Sequence, residues 1–534
     1  MSKSTTSEVS NLTLHRGSGD PNPAGPYLAA VIDIGATSLR MAIGEVNSEG
    51  RLRIVDNVKL PVSLGIDTFT VGRIEKKTAT AMVRALLSCR KKLHEFGLKD
   101  MASVRVVATS AVREARNRVE FIDQVFNLTG MEIEPIDEAD VHRVTYLEVL
   151  GVFDEHPELC QGRTLAIEIG GGSTEVIVLQ DGEVIFSNTF RMGSLRMRRT
   201  LEGFRTSGER IREIMESEVA RVGDRLVAAI GADQIDRMLV MGGDMRLAAD
   251  LLYPNRETSD VEVVDVQDLE KLFEEVWSTS TDQLVGRHQL SIADAESFAP
   301  ALMAYTDLAH RFNLKNFHVT DTNLREGLLL DMAGMGRSAK IRPQILASVR
   351  AVAQKYGVDE KHAAQVSHLS EQIFGVLASD YGLTENCQLI LQVAAWLHEI
   401  GMFVNVRSYH KHSLYLIRSS EFFGISAKNL LLAALVARYH RRAVPQPTHE
   451  FYNTLDRRDR ATVCKLAAIL RVAKALDVSR NGRVAGFEAN RTTTKLVLNV
   501  FNVSDLTMEG LELQYSGSMF EETFGLKLVL TTGN

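Results

Sequence analysis

The sequence predicts an α/β protein in which two similar lobes are followed by an all-α domain and a small β-containing C-terminal domain. Three observations support this prediction. A Gly-rich segment occurs twice, about one domain apart; apolar residues recur with a helical period in the second half; and the last part of the chain alternates as strands do. We place a disordered tail at 1–27, the lobes at 28–150 and 151–335, the helical domain at 343–483 and the last domain at 484–534.

Composition limits the kind of protein this can be. The chain has 534 residues, is 45% hydrophobic and carries a net charge of −7, which argues against a nucleic-acid binder with a large basic surface. Its four cysteines show no Cys-x-x-Cys spacing, so we expect no disulfide framework. This cysteine pattern suits a reducing cytoplasm. No apolar run approaches the roughly 20 residues of a membrane helix.

The N-terminal tail is predicted from its residues alone. It is polar, rich in Ser, Gly and Pro, and lacks the apolar core of a signal peptide. Such a segment cannot bury enough apolar surface to fold, so we expect it to be disordered.

The two lobes are predicted from an internal repeat. The segment AVIDIGATSLRMAIGEV, residues 30–46, aligns with LAIEIGGGSTEVIVLQDGEV, residues 165–184. The alignment matches Asp33 with Glu168, Gly35 with Gly170, and Ser38 with Ser173. Both copies read as an acid, one apolar residue, Gly and a short polar turn, which indicates two copies of one module.

Each Gly-rich loop is predicted to join two strands. Alternating apolar residues follow both loops, whereas a P-loop needs Gly-Lys-Ser/Thr at the start of a helix. A plain tight turn is the alternative, but two copies with an acid at each strand end favour hairpins whose amides bind phosphate. The candidate phosphate-binding residues are Asp33, Gly35, Thr37, Ser38, Gly170, Gly171, Gly172, Ser173 and Thr174.

The second half is predicted to be helical up to its last domain. ILASVRAVAQKYG and NLLLAALVARYH have a 3.6-residue apolar period, after a linker predicted in GRSAKIRP, residues 336–343. KLVLNVFN and LKLVL near the C-terminus alternate as strands.

Paired hairpins of this kind resemble those of the actin-like (ribonuclease-H-like) ATPase fold, which holds phosphates in the cleft between two lobes. The segments VVATSAVREARN, IEIGGGSTEV, FRMGSLRMR, DTNLREGLLL and MFEETFGLKLVL resemble, in this order, the exopolyphosphatase / guanosine pentaphosphate phosphohydrolase (Ppx/GppA) family. The resemblance runs from residue 28 nearly to the end.

The resemblance implies a phosphohydrolase that releases terminal phosphate from inorganic polyphosphate or guanosine pentaphosphate. It also implies a divalent metal, usually Mg²⁺, which we place between Asp33 and Glu168 in the cleft. Kinase activity is less expected, because no acceptor-sugar signature is present. We expect a cytoplasmic homodimer.

The resemblance also assigns catalytic candidates: Glu175, Glu168, Asp140 and Arg113. Arg113 would hold phosphate oxygens, and Glu175 would serve a metal or water; a surface ion pair and a solvated strand residue are the alternatives. A third loop with Gly242 and Gly243 would complete the phosphate site, although Asp244 stands where the family has a hydroxyl residue. Polyanion-path candidates are Arg191, Arg196, Arg198 and Arg199.

The general base of the family is missing at its expected position. The family's Glu-Glu-x-Arg segment aligns with residues 140–143, which places Val141 at the base, and valine cannot take a proton. Either Asp140 or Glu138 replaces it, or hydrolysis is slow. A polyphosphate or nucleotide sensor that binds without turnover is therefore an alternative function.

The helical domain resembles the His/Asp-type (HD-type) metal phosphohydrolase domain of the family's long members. The implied metal ligands are His362, His398, Glu399 and Asp477, with His412 or His440 near a second ion or a phosphate. Mn²⁺, Fe, Zn²⁺ or Mg²⁺ would suit these donors. The pair reads His-Glu and not His-Asp, so the alternative is a helical relic whose histidines hydrogen-bond in the core. Phosphohydrolase chemistry in this domain is a second enzymatic hypothesis.

Overall fold

A computed structural model describes residues 26–47, 51–99, 101–201, 208–231, 234–255, 261–333, 338–441 and 443–533. The predicted tail lies outside these residues except for its last two. None of the helices in the described ranges has the length and apolar character needed to cross a membrane.

A mixed sheet of five strands forms the centre of the first lobe. The strands are β1 (Tyr27–Ile34), β2 (Leu39–Val46), β3 (Leu52–Leu60), β4 (Val104–Ala108) and β5 (Ile133–Pro135). Their order is β3-β2-β1-β4-β5, with β1 to β3 antiparallel and β4 and β5 parallel to β1. β1 becomes buried along most of its length because helices cover both faces of the sheet.

The second sheet repeats this arrangement. Its strands are β6 (Arg163–Ile169), β7 (Thr174–Gln180), β8 (Glu183–Phe190), β9 (Arg237–Met241), β10 (Glu262–Asp265) and β11 (Asn316–Val319). The strand order is β10-β11-β9-β6-β7-β8. Read backwards, β8-β7-β6-β9-β11 corresponds to β3-β2-β1-β4-β5 of the first sheet, and β10 is an additional antiparallel edge strand. The duplication predicted from the repeated segment is confirmed.

The two Gly-rich loops are equivalent hairpins. The amide of Gly35 donates to the carbonyl of Ser38 at 3.0 Å, and that of Gly170 donates to the carbonyl of Ser173 at 2.9 Å. Neither loop opens a helix, as the alternating pattern after each loop predicted. The hairpins place Asp33 and Glu168 at matching strand ends.

Helices surround both sheets. They are α1 (Leu64–Val71), α2 (Lys76–Glu95), α3 (Ser110–Arg113), α4 (Arg118–Thr129), α5 (Glu138–Glu155), α6 (Ser194–Leu201), α7 (Gly208–Ile230), α8 (Gly243–Leu252), α9 (Val266–Ser278), α10 (Thr281–His288), α11 (Ile292–Arg311) and α12 (Leu324–Met332). α5 begins where Asp137 accepts the amide of Asp140, and it runs across residue 150. α12 returns to the first sheet, where Leu328 belongs to the same buried apolar cluster as Val31 and Val144.

The next part of the chain is helical, as its period predicted. It contains α13 (Ser338–Lys355), α14 (Glu360–Tyr381), α15 (Glu385–Leu397), α16 (Tyr409–Ser419), α17 (Ala427–Arg438) and α18 (Arg457–Leu476). The linker prediction is wrong for residues 338–343, because they form the first turns of α13; residues 336 and 337 lie outside the described ranges.

The C-terminal part combines a small sheet with two short helices. Its elements are β12 (Phe487–Arg491), β13 (Lys495–Val500), α19 (Thr507–Ser516), α20 (Ser518–Phe524) and β14 (Lys527–Thr532). β13 and β14 are the two predicted strands, and they pair in parallel.

One apolar core joins the helical part to the second lobe. It includes Tyr146 and Leu150 of α5, Ile177 of β7 and much of α14 to α18. The rings of Tyr146 and Phe423 meet edge to face at a centroid distance of 5.5 Å. Because this core contains buried residues of all four predicted folded units, the division into domains remains a proposal.

Candidate active site

A cavity of about 550 Å³ lies between the two sheets, at the strand ends where the hairpins face each other. Most of the predicted cleft residues line it: Asp33, Gly35, Thr37, Ser38, Arg113, Glu168, Gly170, Gly171, Gly172, Ser173, Glu175 and Gly243. Three predicted residues do not line it. Thr174 is buried and donates to the carbonyl of Met192, Gly242 lies behind Glu168 at the start of α8, and Asp140 belongs to a separate ion network.

Helix α6 holds the second hairpin from behind. The amides of Ser194 and Arg196 donate to the carbonyls of Gly170 and Gly171, both at 2.9 Å, and Arg196 Nε donates to the carbonyl of Gly172 at 2.7 Å. The carbonyl and the N–H of one peptide group point in opposite directions. Because α6 binds the carbonyls of the loop, the N–H groups of the same peptide units are directed at the cavity. The loop is therefore arranged as an anion-binding turn.

The two hairpins touch across the cleft. A Cβ atom on Gly171 would lie 3.1 Å from the Cβ of Ala36, and one on Gly172 would lie 2.1 Å from Ser110 Oγ. Glycine is required at position 172 because a side chain there would overlap Ser110 and push the lobes apart.

Two carboxylates line the cavity at matching strand ends: Asp33 is buried, and Glu168 is half-buried. Burial raises the pKa of Asp33, partly offset by Arg325, whose Nη1 lies 3.8 Å from Asp33 Oδ2. Burial also raises the pKa of Glu168, to which Glu175 and Asp33 add. Asp33 Oδ1 is buried and has no hydrogen-bond partner among the described residues. A divalent cation with oxygen ligands fits such a pair, because it would relieve their repulsion and use the unpaired oxygen.

Glu175 is held by three neighbouring side chains. Ser173 Oγ donates to Oε1 at 2.9 Å, Thr189 Oγ1 donates to Oε2, and His142 Nε2 lies 3.4 Å from Oε2. Burial raises the pKa of Glu175, but the His142 contact and the other hydrogen bonds outweigh it and lower the pKa overall. Glu175 is therefore an ionised acid beside the Gly-rich loop.

Position 141 faces the cavity, and position 140 does not. Val141 lines the wall near Glu175 and Arg113 and is 6% exposed. Asp140 lies 3.8 Å from Arg143, which also pairs with Asp331. Burial, with Asp137 nearby, raises the pKa of Asp140 to about 6. The structure thus gives Asp140 a place outside the cavity that the sequence did not predict.

Arg113 lines the cavity at the end of α3. Its Nη1 donates to the carbonyl of Ile136 at 2.9 Å, and its Nη2 lies 3.6 Å from Glu138. The guanidinium retains donors for an anion, because these contacts use only part of its donor set.

Asp244 also lines the cavity. Its carboxylate accepts hydrogen bonds from Ser297 at 3.3 Å and Ser194 at 3.4 Å. Burial, followed by the nearby Asp294, raises its pKa to about 6.

The candidates for a polyanion path lie elsewhere. Arg191 and Arg196 both pair with Glu114, and Arg199 pairs with Glu296. Neither these residues nor Arg198 line the cavity, so their part in a polyanion path stays a prediction. Arg196 instead supports the Gly-rich loop.

The helical part has a buried cluster of metal-binding side chains. Ligand atoms of His362, His398 and Glu399 all lie within 4.8 Å of one another. His362 and His398 come from α14 and the end of α15, and Glu399 follows directly. Burial lowers the pKa of His398 to about 4, so its imidazole is neutral.

Asp477 lies behind this cluster. Its Oδ2 contacts His362 Nδ1 at 2.7 Å, and its Oδ1 accepts the amide of Gly482 at 3.0 Å. His440 Nε2 lies 3.0 Å from the hydroxyl of Tyr409, beside the cluster.

Family models match two consecutive parts of the chain. The Ppx/GppA phosphatase family matches residues 42–335, and domain III of the Ppx/GppA phosphatase matches residues 345–513. The chain belongs to the Ppx/GppA phosphatase family. As a Ppx/GppA phosphatase it is a phosphohydrolase, and the resemblance stated from its motifs is confirmed.

Known proteins resemble the chain over most of its length. A guanosine-5′-triphosphate,3′-diphosphate pyrophosphatase of Aliivibrio fischeri is 24% identical over 91% of this chain and 95% of its own length. The protein of the same name from Pseudoalteromonas translucida is 26% identical over 77% of this chain and 80% of its own. An exopolyphosphatase structure from Cytophaga hutchinsonii, 20% identical, covers 58% of this chain and 98% of its own with a TM-score of 0.52, which supports the two-lobed actin-like fold.

Sequence reasoning missed most of the cationic side chains of this Ppx/GppA cleft. Lys59, Arg40, Arg246 and Arg325 line the cavity. Burial lowers the pKa of Arg246, and Arg40 lowers it further, which shows that these cations lie close enough to repel one another. Arg325 and Arg40 lie in quoted segments, DTNLREGLLL and the first repeat copy, and could have been found there.

Glu148 is a second missed residue. It is 2% exposed, and neither carboxyl oxygen has a hydrogen-bond partner in the described part of the chain. Burial raises its pKa well above the usual range, with Glu168 and Glu326 adding to the shift. Two turns beyond Val141 on α5, it is a neutral acid behind the cleft.

Proposed function

We propose that the interlobe cleft hydrolyses the terminal phosphoric anhydride of inorganic polyphosphate or guanosine pentaphosphate. The observation that carries this proposal is the Gly-rich loop, which α6 holds by its carbonyls and which faces the first hairpin across one cavity. The names of the relatives agree with the proposal, since they are guanosine-5′-triphosphate,3′-diphosphate pyrophosphatases and an exopolyphosphatase.

Phosphate binding is assigned to the loops and the nearby cations. Amides after Gly170 and Gly171 and the hydroxyls of Ser38 and Ser173 supply donors to phosphate oxygens. Arg40, Arg113, Arg246 and Arg325 add positive charge on the walls. A chain of phosphates suits this cavity because several cations repel one another there until an anion binds.

Mg²⁺ is the proposed cofactor, and Asp33 and Glu168 are the residues that would hold it. Its role when bound is to neutralise phosphate oxygens and polarise the phosphorus–oxygen bond. Asp33 Oδ1 is unpartnered in the described structure and available to such an ion.

The water that attacks phosphorus is assigned to the space near Glu175. The new bond forms between this water and the terminal phosphorus, and the bond to the bridging oxygen breaks. The shortened phosphate chain leaves with that oxygen, and the proton lost by the water passes to the phosphate products. Glu175 can accept a hydrogen bond from the water and orient it, but its lowered pKa makes it a weak base. With Val141 at the wall, we propose slow turnover, and binding without turnover is the second candidate function.

The test is phosphate release from polyphosphate and guanosine pentaphosphate, measured side by side with Mg²⁺. Arg113→Ala should weaken binding by at least about tenfold, since a charged hydrogen bond contributes about 1.5–3 kcal/mol. The control is Arg221→Ala on the exposed surface of α7, where Arg221 pairs with Glu218. Equal effects of the two substitutions would contradict the cleft assignment.

A cytoplasmic homodimer belongs to the same proposal. The four cysteines are free, which agrees with a reducing compartment. Light scattering on the purified chain tests the dimer, because it gives the molar mass of the particle directly.

A further inference from the structure

Four exposed apolar side chains form a patch in the helical part. Phe403 ends the short turn Ile400–Phe403, Val404 and Val406 follow it, and Tyr415 belongs to α16. Each residue of this apolar patch is more than half exposed, from 53% for Val404 to 71% for Val406. Single exposed apolar residues are common, whereas several in one place mark a surface that contacts a partner.

The backbone that carries the apolar patch is held in place. The turn packs against α16, and a Cβ atom on Gly401 would lie 2.1 Å from the carbonyl oxygen of Tyr409. The amide of Gly401 donates to Ser413 Oγ at 3.0 Å. The ring of Phe403 meets that of Tyr356 edge to face at a centroid distance of 5.1 Å. The exposed side chains therefore project from an ordered support.

Cationic side chains flank the apolar patch. Lys411 and Arg418 share the outward face of α16 with Tyr415, because the three residues are separated by one turn of helix each. Lys355 precedes Tyr356, the residue against which Phe403 packs. None of these three cations forms an ion pair with a residue that the structure describes. Their charge is therefore available to an anion from outside.

The end of α17 adds more positive charge. Burial lowers the pKa of His410, and Arg441, Lys411 and Arg438 lower it further, which shows that these charges lie close to one another. Arg441 stacks over the ring of Tyr409 at 4.9 Å, a contact that leaves its hydrogen-bond donors free. Cations that repel one another in this way favour binding of a negatively charged partner.

We propose that the apolar patch and the cations around it bind the surface of an anionic lipid membrane. The cations match the anionic headgroups, and the apolar side chains enter the boundary between headgroups and acyl chains. Tyr415 suits this depth, because a tyrosine has an apolar ring and a polar hydroxyl. The proposal goes beyond the function proposed for the cleft and does not depend on it.

The shape of the patch favours a membrane over other anionic partners. A nucleic acid would use the cations but would leave Val404 and Val406 in water, since its outer surface is a phosphate backbone. A peptide partner would need a groove, whereas residues that are more than half exposed project outward and do not line one. A fluid lipid layer can accept projecting side chains without a matching shape.

Sedimentation of the full-length chain with vesicles tests the proposal. We expect binding to vesicles of phosphatidylglycerol and phosphatidylcholine in equal parts, and much weaker binding to phosphatidylcholine alone. Added salt should weaken the binding, because it screens the attraction between the cations and the headgroups. Equal binding to both kinds of vesicle, or binding to neither, would overturn the proposal.

Two substitutions separate the apolar from the cationic contribution. Val406→Ser should weaken vesicle binding about tenfold, the effect of losing one buried apolar side chain. Its control is Val119→Ser on α4, where the valine is 69% exposed in the first lobe. Lys411→Gln should weaken binding about fivefold, the contribution of one cation near an anionic surface. Its control is Lys77→Gln, an exposed lysine of α2.

The controls should bind vesicles as the wild type does. Losses in the controls equal to those in Val406→Ser and Lys411→Gln would overturn the assignment of the surface. Vesicle binding that Val406→Ser leaves unchanged would also overturn it, because the apolar patch would then not enter the lipid.

A single-stranded oligonucleotide is the probe for the other class of partner. It offers phosphate charge without an apolar layer, so we expect the chain to bind it more weakly than the mixed vesicles. Tighter binding of the oligonucleotide, lowered by Lys411→Gln and unchanged by Val406→Ser, would make this a nucleic-acid surface and overturn the proposal. Phosphate release from polyphosphate, measured on the same variants without vesicles, should equal that of the wild type, since these residues lie outside the cleft.

Discussion

Glu175 illustrates, at the scale of one residue, how hydrogen-bond donors decide what an acid can do. Burial by itself raises the pKa of this carboxyl, but His142, Thr189 and Ser173 stabilise its ionised form and lower the pKa overall. An acid with a lowered pKa holds an oriented water well and removes a proton from it poorly. Its neighbour across the cleft wall, Val141, cannot supply the missing basicity.

Asp244 should make phosphate binding depend on pH. Its pKa, raised to about 6 by burial and by Asp294, means that its negative charge is present above that pH and lost below it. Asp244→Ser should therefore strengthen polyphosphate binding about tenfold at about pH 8, where it removes a like charge from the cavity. The gain should disappear at about pH 5, where wild-type Asp244 is neutral.

Calorimetric titration of both proteins at the two pH values measures this difference. Protonation of polyphosphate itself affects both proteins alike, so the ratio of their dissociation constants isolates Asp244. A ratio that stays constant with pH would show that Asp244 does not act on the bound anion.

At the scale of elements, the contact between α6 and the Gly-rich hairpin determines the shape of the phosphate loop. A Cβ atom on Gly193 would lie 2.3 Å from the carbonyl carbon of Gly172 and 2.5 Å from the carbonyl oxygen of Gly171. Backbone atoms cannot rotate away, so Gly193→Ala should displace the hairpin. We expect a loss of about 1–3 kcal/mol in unfolding free energy and weaker phosphate binding.

Gly286→Ala is the matched control for that experiment. Gly286 lies within α10, and a Cβ atom there would meet nothing within 4 Å. Alanine should stabilise the protein slightly, by up to about 1 kcal/mol, because it restricts the unfolded chain and favours helix. Denaturant unfolding compares the two variants. An unchanged unfolding free energy in Gly193→Ala would refute the claim that α6 determines the shape of the hairpin.

The elements that the sequence predicted are those with local signals. The hairpins around Gly35 and Gly170 repeat one pattern within a few residues, so their equivalent structure could be inferred from that pattern. Arg40 and Arg246 come from different lobes and meet only through the sheet topology, which no local pattern encodes. The contact between His362 and Asp477 likewise depends on the packing of α14 against α18, so the sequence could group the two residues but not show that they touch.

At the scale of the whole molecule, the shared core should make the lobes and the helical part unfold together. The protein has two tryptophans, Trp277 in α9 and Trp396 in α15, which report on the second lobe and the helical part respectively. Single-tryptophan variants Trp277→Phe and Trp396→Phe should show denaturant midpoints that coincide with each other. Coincident transitions are the sign of one cooperative unit.

Phe423→Ala is the change that should uncouple the two parts. It removes the ring that packs against Tyr146, and we expect a loss of about 3–5 kcal/mol. If the two single-tryptophan variants show different midpoints while Phe423 is still present, the core does not couple the second lobe to the helical part.

The central claim is that the cleft binds and slowly hydrolyses a phosphate chain because it lacks a base at position 141. The most direct measurement is the rate of phosphate release from polyphosphate by the wild type, Val141→Glu and Asp140→Ala. A positioned base contributes about 10²–10⁴ in rate, so Val141→Glu should raise the rate at least about tenfold with little change in affinity. Asp140→Ala should change neither the rate nor the affinity, because Asp140 lies outside the cavity beside Arg143. An efficient wild-type rate that Val141→Glu leaves unchanged, or turnover abolished in Asp140→Ala, would contradict the account.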